Sequence, residues 1–210
     1  MSLHLDILPP AQRTLWDAFD ALPVEFVLYG GTAIALQLGH RQSVDFDFFA
    51  RATFDPETLL TTSALLADAE VVAIEPNTLT IRMGALAPVL MSFFGVPKLP
   101  VLRAPLLIEP PSVRIGALLE LAGMKAMVVQ KRAEAKDYIV LHALIHQARI
   151  DLPMALAAAS ALYAPRFSPE STLKALCYFG DGDLSSLPKS VRDDLARAVR
   201  KVDPSRLPTL

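Results

Sequence analysis

Between Tyr29 and Phe49 the chain reads YGGTAIALQLGHRQSVDFDFF, and this block constrains the fold more than any other. The preceding run VEFVLYG is β-rich and stops at a diglycine, as a buried strand does when it hands over to a turn. GTAIALQLG then carries helical spacing and closes on Gly39, a residue suited to a left-handed C-terminal cap. SVDFDFFA alternates polar and apolar residues with period two, the pattern of a half-buried strand. Such alternation puts Asp45 and Asp47 on one face, about 6.6–7 Å apart along the strand, and Val44, Phe46 and Phe48 on the core face.

Two carboxylates on one face repel, and folding alone gains nothing from the pair. A solvated strand face accommodates them. So does a divalent cation, since Mg²⁺ takes oxygen ligands and is commonly held by one or two carboxylates plus substrate phosphates. The diglycine favours the second reading. Glycine lets backbone approach a phosphate closely, and a helix N-terminus offers free N–H groups with partial positive charge. The phosphate-binding pattern GxxxxGK and the dinucleotide pattern GxGxxG are both absent, and the acid spacing excludes an EF-hand loop.

At 210 residues the chain has room for one domain with an appendage and a sizeable core. Its hydrophobic fraction is 52%, and a net charge of −2 argues against a global field for nucleic acid. The single cysteine, Cys177, excludes an internal disulfide framework and a cysteine-based zinc site. MSLHLDILPPAQRTLW shows no charged-then-apolar leader, and LPMALAAASALYAP falls short of the roughly twenty residues a span needs. A cytoplasmic protein without membrane association is expected.

The remaining chain divides by character. PPAQRTLWDAFDAL predicts a helix with Leu15, Phe19 and Leu22 on one side, and DPETLLTTSALLADA a helix capped by Asp55 with Pro56 at its first position. EVVAIEPNTLTIRMGALAPVLMSFFG predicts two or three strands turning at Pro76-Asn77 and near Gly84. VPKLPVLRAPLLIEPPSVRI reads as a proline-rich connector with short strand pieces. From Gly116 onward helical spacing dominates. The expected fold is α+β: an α/β domain over 1–112 and a helical domain over 113–210.

The block GGTAIALQLGHRQSVDFDFF resembles the signature of the AbiEii/AbiGii-type nucleotidyltransferase toxins, within the polymerase-β-like nucleotidyltransferase superfamily. Its residues Gly30, Gly31, Thr32, Arg41, Ser43, Asp45 and Asp47 match that pattern. PVLMSFFGVPKL, ELAGMKAMVVQKRAEAKDYIVLHALI and LKALCYFGDGD are similar to later family segments, so the likeness covers roughly residues 20–185. It implies a polymerase-β-like domain, a mixed sheet flanked by helices, followed by a helical domain. It also implies transfer of a nucleoside monophosphate from an NTP to an acceptor hydroxyl, with Mg²⁺ or Mn²⁺.

In that reading Asp45 and Asp47 bind the metal. Gly30, Gly31 and the Thr32 hydroxyl cradle phosphates, with Arg41 and Ser43 assisting. The resemblance assigns Lys125 and Lys136 to phosphate and Asp137 to the active site, as a base for the acceptor, with Glu120 in support. RNA, especially tRNA, is the implied acceptor, served by Lys125, Lys131, Arg132 and Lys136. An antitoxin encoded nearby is the implied partner. Three positions depart from the family: Glu120 replaces an aspartate, Val140 replaces an acid, and Ser92 stands where related enzymes carry a third metal-binding aspartate. These departures keep two alternatives open, a catalytically silent nucleotide- or partner-binding module and a small-molecule nucleotidyltransferase. His142 and His146 have the i, i+4 spacing of metal ligands, but with no third ligand nearby they read as packing or surface residues.

Overall fold

The structure, a computed structural model, describes residues 3–210, so the first two residues of the expected 1–112 domain lie outside it. The chain forms two compact units: one runs to Leu99 and adds Ala104–Ala117, the other comprises Pro100–Arg103 and Leu118–Leu210.

The first unit is built on seven strands: β1 (Val27–Tyr29), β2 (Asp45–Ala50), β3 (Glu70–Glu75), β4 (Thr78–Met83), β5 (Val89–Gly95), β6 (Leu106–Ile108) and β7 (Val113–Ile115). Their order across the sheet is β3-β4-β5-β2-β1-β7-β6. β2 runs parallel to β5 and antiparallel to β1, and β7 runs parallel to β1, so the sheet is mixed. Because β7 pairs with β1, the sheet unit extends past residue 112 to Ala117.

Aromatic packing sets the register of β2. Phe46 and Phe48 are fully buried beneath the sheet, where the Phe19 ring meets both edge-on at 4.8 and 5.2 Å. Phe48 also stacks on Phe93 of β5 at 5.3 Å. A slip of one residue would drive both aspartates into this apolar layer, so the phenylalanines hold the acids on the opposite face. Val44 does not join them. It is 60% exposed, because β2 begins only at Asp45 and the alternation has not yet started.

Helix α1 (Pro10–Trp16) is shorter than its periodicity predicts, and a 3₁₀ turn over Phe19–Ala21 then delivers Phe19 to the core. α2 (Gly30–Leu38) ends at Gly39, whose φ of +64° gives the left-handed cap. α3 (Pro56–Thr62) starts as the sequence predicts, with the Asp55 carboxylate accepting the Thr58 N–H at 3.0 Å.

The second unit holds α4 (Leu118–Val128), α5 (Ala135–His146), α6 (Leu152–Tyr163), α7 (Pro169–Ala175) and α8 (Lys189–Val199). α4 and α6 cross closely: a Cβ on Gly123 would lie 2.8 Å from the Ala158–Ala159 backbone. Among the described residues no helix is long and apolar enough to cross a membrane.

Candidate active site

The junction of β1, α2 and β2 gathers the acids and the diglycine. Tyr29, the last residue of β1, pairs with Asp47, and Asp47 pairs in turn with Ser92 of β5. The chain leaves Tyr29 through Gly30 at φ +70°, a conformation that side chains disfavour. Space forbids a side chain there too. A Cβ on Gly30 would fall 3.0 Å from Cγ of Asp47 and closer still to its Oδ2. A Cβ on Gly31 would meet Nη2 of Arg41 at 2.7 Å and Oγ of Ser43 at 3.3 Å. The diglycine therefore lets Asp47, Arg41 and Ser43 close around the first turn of α2. The N-cap residue Tyr29 makes no side-chain cap, and the leading N–H groups of a helix have no intrahelical partner.

Thr32 stands at the third position of α2. It is buried, and its hydroxyl donates to the Asp45 carbonyl, which fastens the start of β2 to α2. Its proton is thus committed to the backbone. Asp45 is exposed and Asp47 half-buried, while Ser43 is buried and Nη1 of Arg41 donates to the Gln42 carbonyl at 2.6 Å. Ser92 lies beside Asp47 and within 3.3 Å of the Thr80 hydroxyl, so a hydroxyl pair occupies the place of a third acid.

In the second unit Asp137 is completely buried at the start of α5. Lys125 of α4 donates to its Oδ1 at 2.7 Å, and Nε of Arg132 to its Oδ2 at 2.8 Å. Burial by itself would push the Asp137 carboxyl up. The hydrogen bond from Arg132, with the charge and hydrogen bond of Lys125, outweighs burial and holds it below the ordinary carboxylate range. Both of its oxygens thus rest on cations, and Asp137 fixes the position of Lys125, which is 9% exposed.

Glu120 is fully buried on α4, and Val140 is fully buried in the apolar side of α5, where an acid would have to be desolvated. Lys136 is exposed and paired with Glu134 at 2.8 Å. With Lys125 and Arg132 on Asp137 as well, three of the four cations expected to serve RNA have acidic partners.

The profile of the family described as "Nucleotidyl transferase AbiEii toxin, Type IV TA system" matches residues 13–208. The chain belongs to the AbiEii family. It is a nucleotidyltransferase by family, with the mixed sheet and C-terminal helices of the polymerase-β-like superfamily. Among solved structures, a protein from H. pylori assigned as a nucleotidyltransferase shares 17% identity at a TM-score of 0.57, covering 90% of each chain. MenT4, a nucleotidyltransferase toxin from Mycobacterium tuberculosis H37Rv, shares 17% identity at a TM-score of 0.53, covering 91% of this chain and 84% of its own. No curated protein matches the chain.

The AbiEii assignment gives meaning to a motif the residues alone left unexplained. In LKALCYFGDGD, Gly182 takes φ +54° against the Ala133 backbone, and Asp183 accepts the Ala135 N–H at 2.6 Å. That carboxylate caps the start of α5 two residues before Asp137, so the C-terminal motif anchors the helix carrying the buried acid. Nothing local in the sequence marks this pairing, because its partners stand 48 residues apart. A second group that sequence spacing leaves incomplete is His142, His146 and Asp194, whose ligand atoms all lie within 4.8 Å of one another and could hold a metal.

Proposed function

We propose that this AbiEii protein transfers a nucleoside monophosphate from an NTP to an acceptor hydroxyl on RNA, tRNA being the favoured substrate, and acts as the toxin beside a separately encoded antitoxin. The observation that supports this most strongly is the packing of the Asp47 carboxylate on Gly30 at the start of α2, with Asp45 on the same strand face. Hard carboxylate oxygens, exposed or half-buried, suit Mg²⁺ or Mn²⁺, so Asp45 and Asp47 are the residues to hold it. When bound, the ion neutralises phosphate charge and aligns the triphosphate.

The chain's own residues supply the rest. The N–H groups opening α2 and the Arg41 guanidinium receive phosphate oxygens, while Thr32 and the phenylalanines of β2 keep the acids in register. In the second unit Asp137 positions the Lys125 ammonium, and Lys136 is exposed. The acceptor oxygen bonds to the α-phosphorus and the α–β bridging bond breaks. Pyrophosphate departs, and the acceptor proton passes to solvent. Catalysis of this kind rests on positioning and charge neutralisation.

The test incubates the full chain with α-labelled NTPs, Mg²⁺ and total RNA. Label should enter RNA with wild type and fall by at least about 100-fold with Asp47→Ala. Equal labelling by both proteins would overturn the proposal.

A further inference from the structure

We propose that His142, His146 and Asp194 form a site for a transition-metal cation of the Zn²⁺ class that clasps α8 to α5. The donor set shares no residue with the Asp45–Asp47 pair and suits different chemistry. Imidazole nitrogen prefers zinc, nickel, cobalt or copper, whereas Mg²⁺ and Ca²⁺ take oxygen.

The geometry is nearly that of a coordination shell. Two histidines four residues apart share one helix face, and their ring centroids lie 4.4 Å apart. From α8, Oδ2 of Asp194 comes within 3.1 Å of Nε2 of His142 and 4.0 Å of Nε2 of His146. Metal–ligand bonds of about 2.0–2.2 Å in a tetrahedron put neighbouring ligand atoms about 3.3 Å apart. The first separation already meets this, the second needs a shift of less than about 1 Å, and the three ligand atoms, all within 4.8 Å of one another, need to close by no more than about 1.5 Å. His146 is free to make it, with a side chain 44% exposed.

Two neighbours support the assignment. Nη1 of Arg197 donates to Oδ1 of Asp194 at 2.6 Å, which leaves Oδ2 for the metal, as outer-shell partners of ligating carboxylates do. A cavity of about 310 Å³ lined by His146, Asp194, Arg197 and Lys201 opens beside the cluster. It leaves a fourth position for water or a small anion. The fold also has a use for the bond. Leu195 is the one fully buried residue that α8 contributes, so apolar packing alone holds this charged helix weakly. A metal shared by Asp194 and α5 pins it one residue away.

The test uses the full chain without an affinity tag, stripped with EDTA and kept in excess Mg²⁺ so that hard-ion sites stay filled. Zn²⁺ titration by calorimetry should give one site per chain, and Co²⁺ should show the intense visible bands of tetrahedral coordination. His146→Gln and Asp194→Asn, each checked for wild-type circular dichroism, should weaken Zn²⁺ at least about 10-fold. Asp45→Asn/Asp47→Asn should bind Zn²⁺ unchanged. Hydrogen exchange in α8 should slow on Zn²⁺ addition. Absent binding, wild-type affinity in both folded ligand variants, or loss of binding in Asp45→Asn/Asp47→Asn would each overturn the site. None of these readouts depends on nucleotidyl transfer.

Discussion

Gly30 carries two constraints at one atom. Its φ of +70° disfavours any side chain, and the Asp47 carboxylate fills the space a Cβ would need. Gly30→Ala should therefore cost about 1–3 kcal/mol in urea unfolding and push the Asp47 carboxylate off the α2 turn. If the site works as proposed, NTP labelling of RNA falls by more than the stability loss explains, measured well below the unfolding midpoint. At the same scale Asp137 is buried between Lys125 and Arg132. Asp137→Ala leaves the buried Lys125 ammonium uncompensated and should destabilise by about 3–5 kcal/mol, read as a lower urea midpoint. The sequence marked both residues, but not their partners. Gly30 and Asp47 stand 17 residues apart and meet only through the pairing of Tyr29 with Asp47. Arg132 looked like a surface cation for RNA, because nothing in its neighbourhood shows that the α4–α5 turn folds it back onto Asp137.

Among the elements, those with strong periodicity or explicit caps were legible. α2 with Gly39, α3 with Asp55 and Pro56, and the β3–β4 turn at Asn77 with φ +60° all follow from local chemistry. Local patterns misled where tertiary contacts decide. α1 stops at Trp16 because Phe19 must turn inward to reach Phe46 and Phe48. β6 and β7 hide among prolines, and β7 is held by pairing with β1 on one side and β6 on the other. The α4–α6 crossing is likewise invisible in sequence, since Gly123 lies inside α4 and its close neighbours Ala158 and Ala159 stand about 35 residues away. Gly123→Val should force the helices apart and lower stability by about 1–3 kcal/mol, whereas Ala159→Gly should cost less than about 1 kcal/mol by thermal unfolding.

For the whole molecule, the Asp137 pairing gives acid unfolding a definite sign. Its folded pKa lies below the unfolded value of about 3.9. The stabilisation is thus fully present above that value and lost as pH falls through the folded pKa. Wild type should lose stability steeply below about pH 4, and Asp137→Asn should show a flatter profile there, by urea unfolding at stepped pH. The central claim, however, concerns the acids of β2 as a metal–triphosphate site. Calorimetric titration with a non-hydrolysable NTP, with and without Mg²⁺, tests it without waiting for the right acceptor. Wild type should bind the nucleotide at least about 10-fold tighter with Mg²⁺, and folded Asp45→Asn/Asp47→Asn should lose that increment. An undiminished Mg²⁺ effect in the double variant would contradict the account.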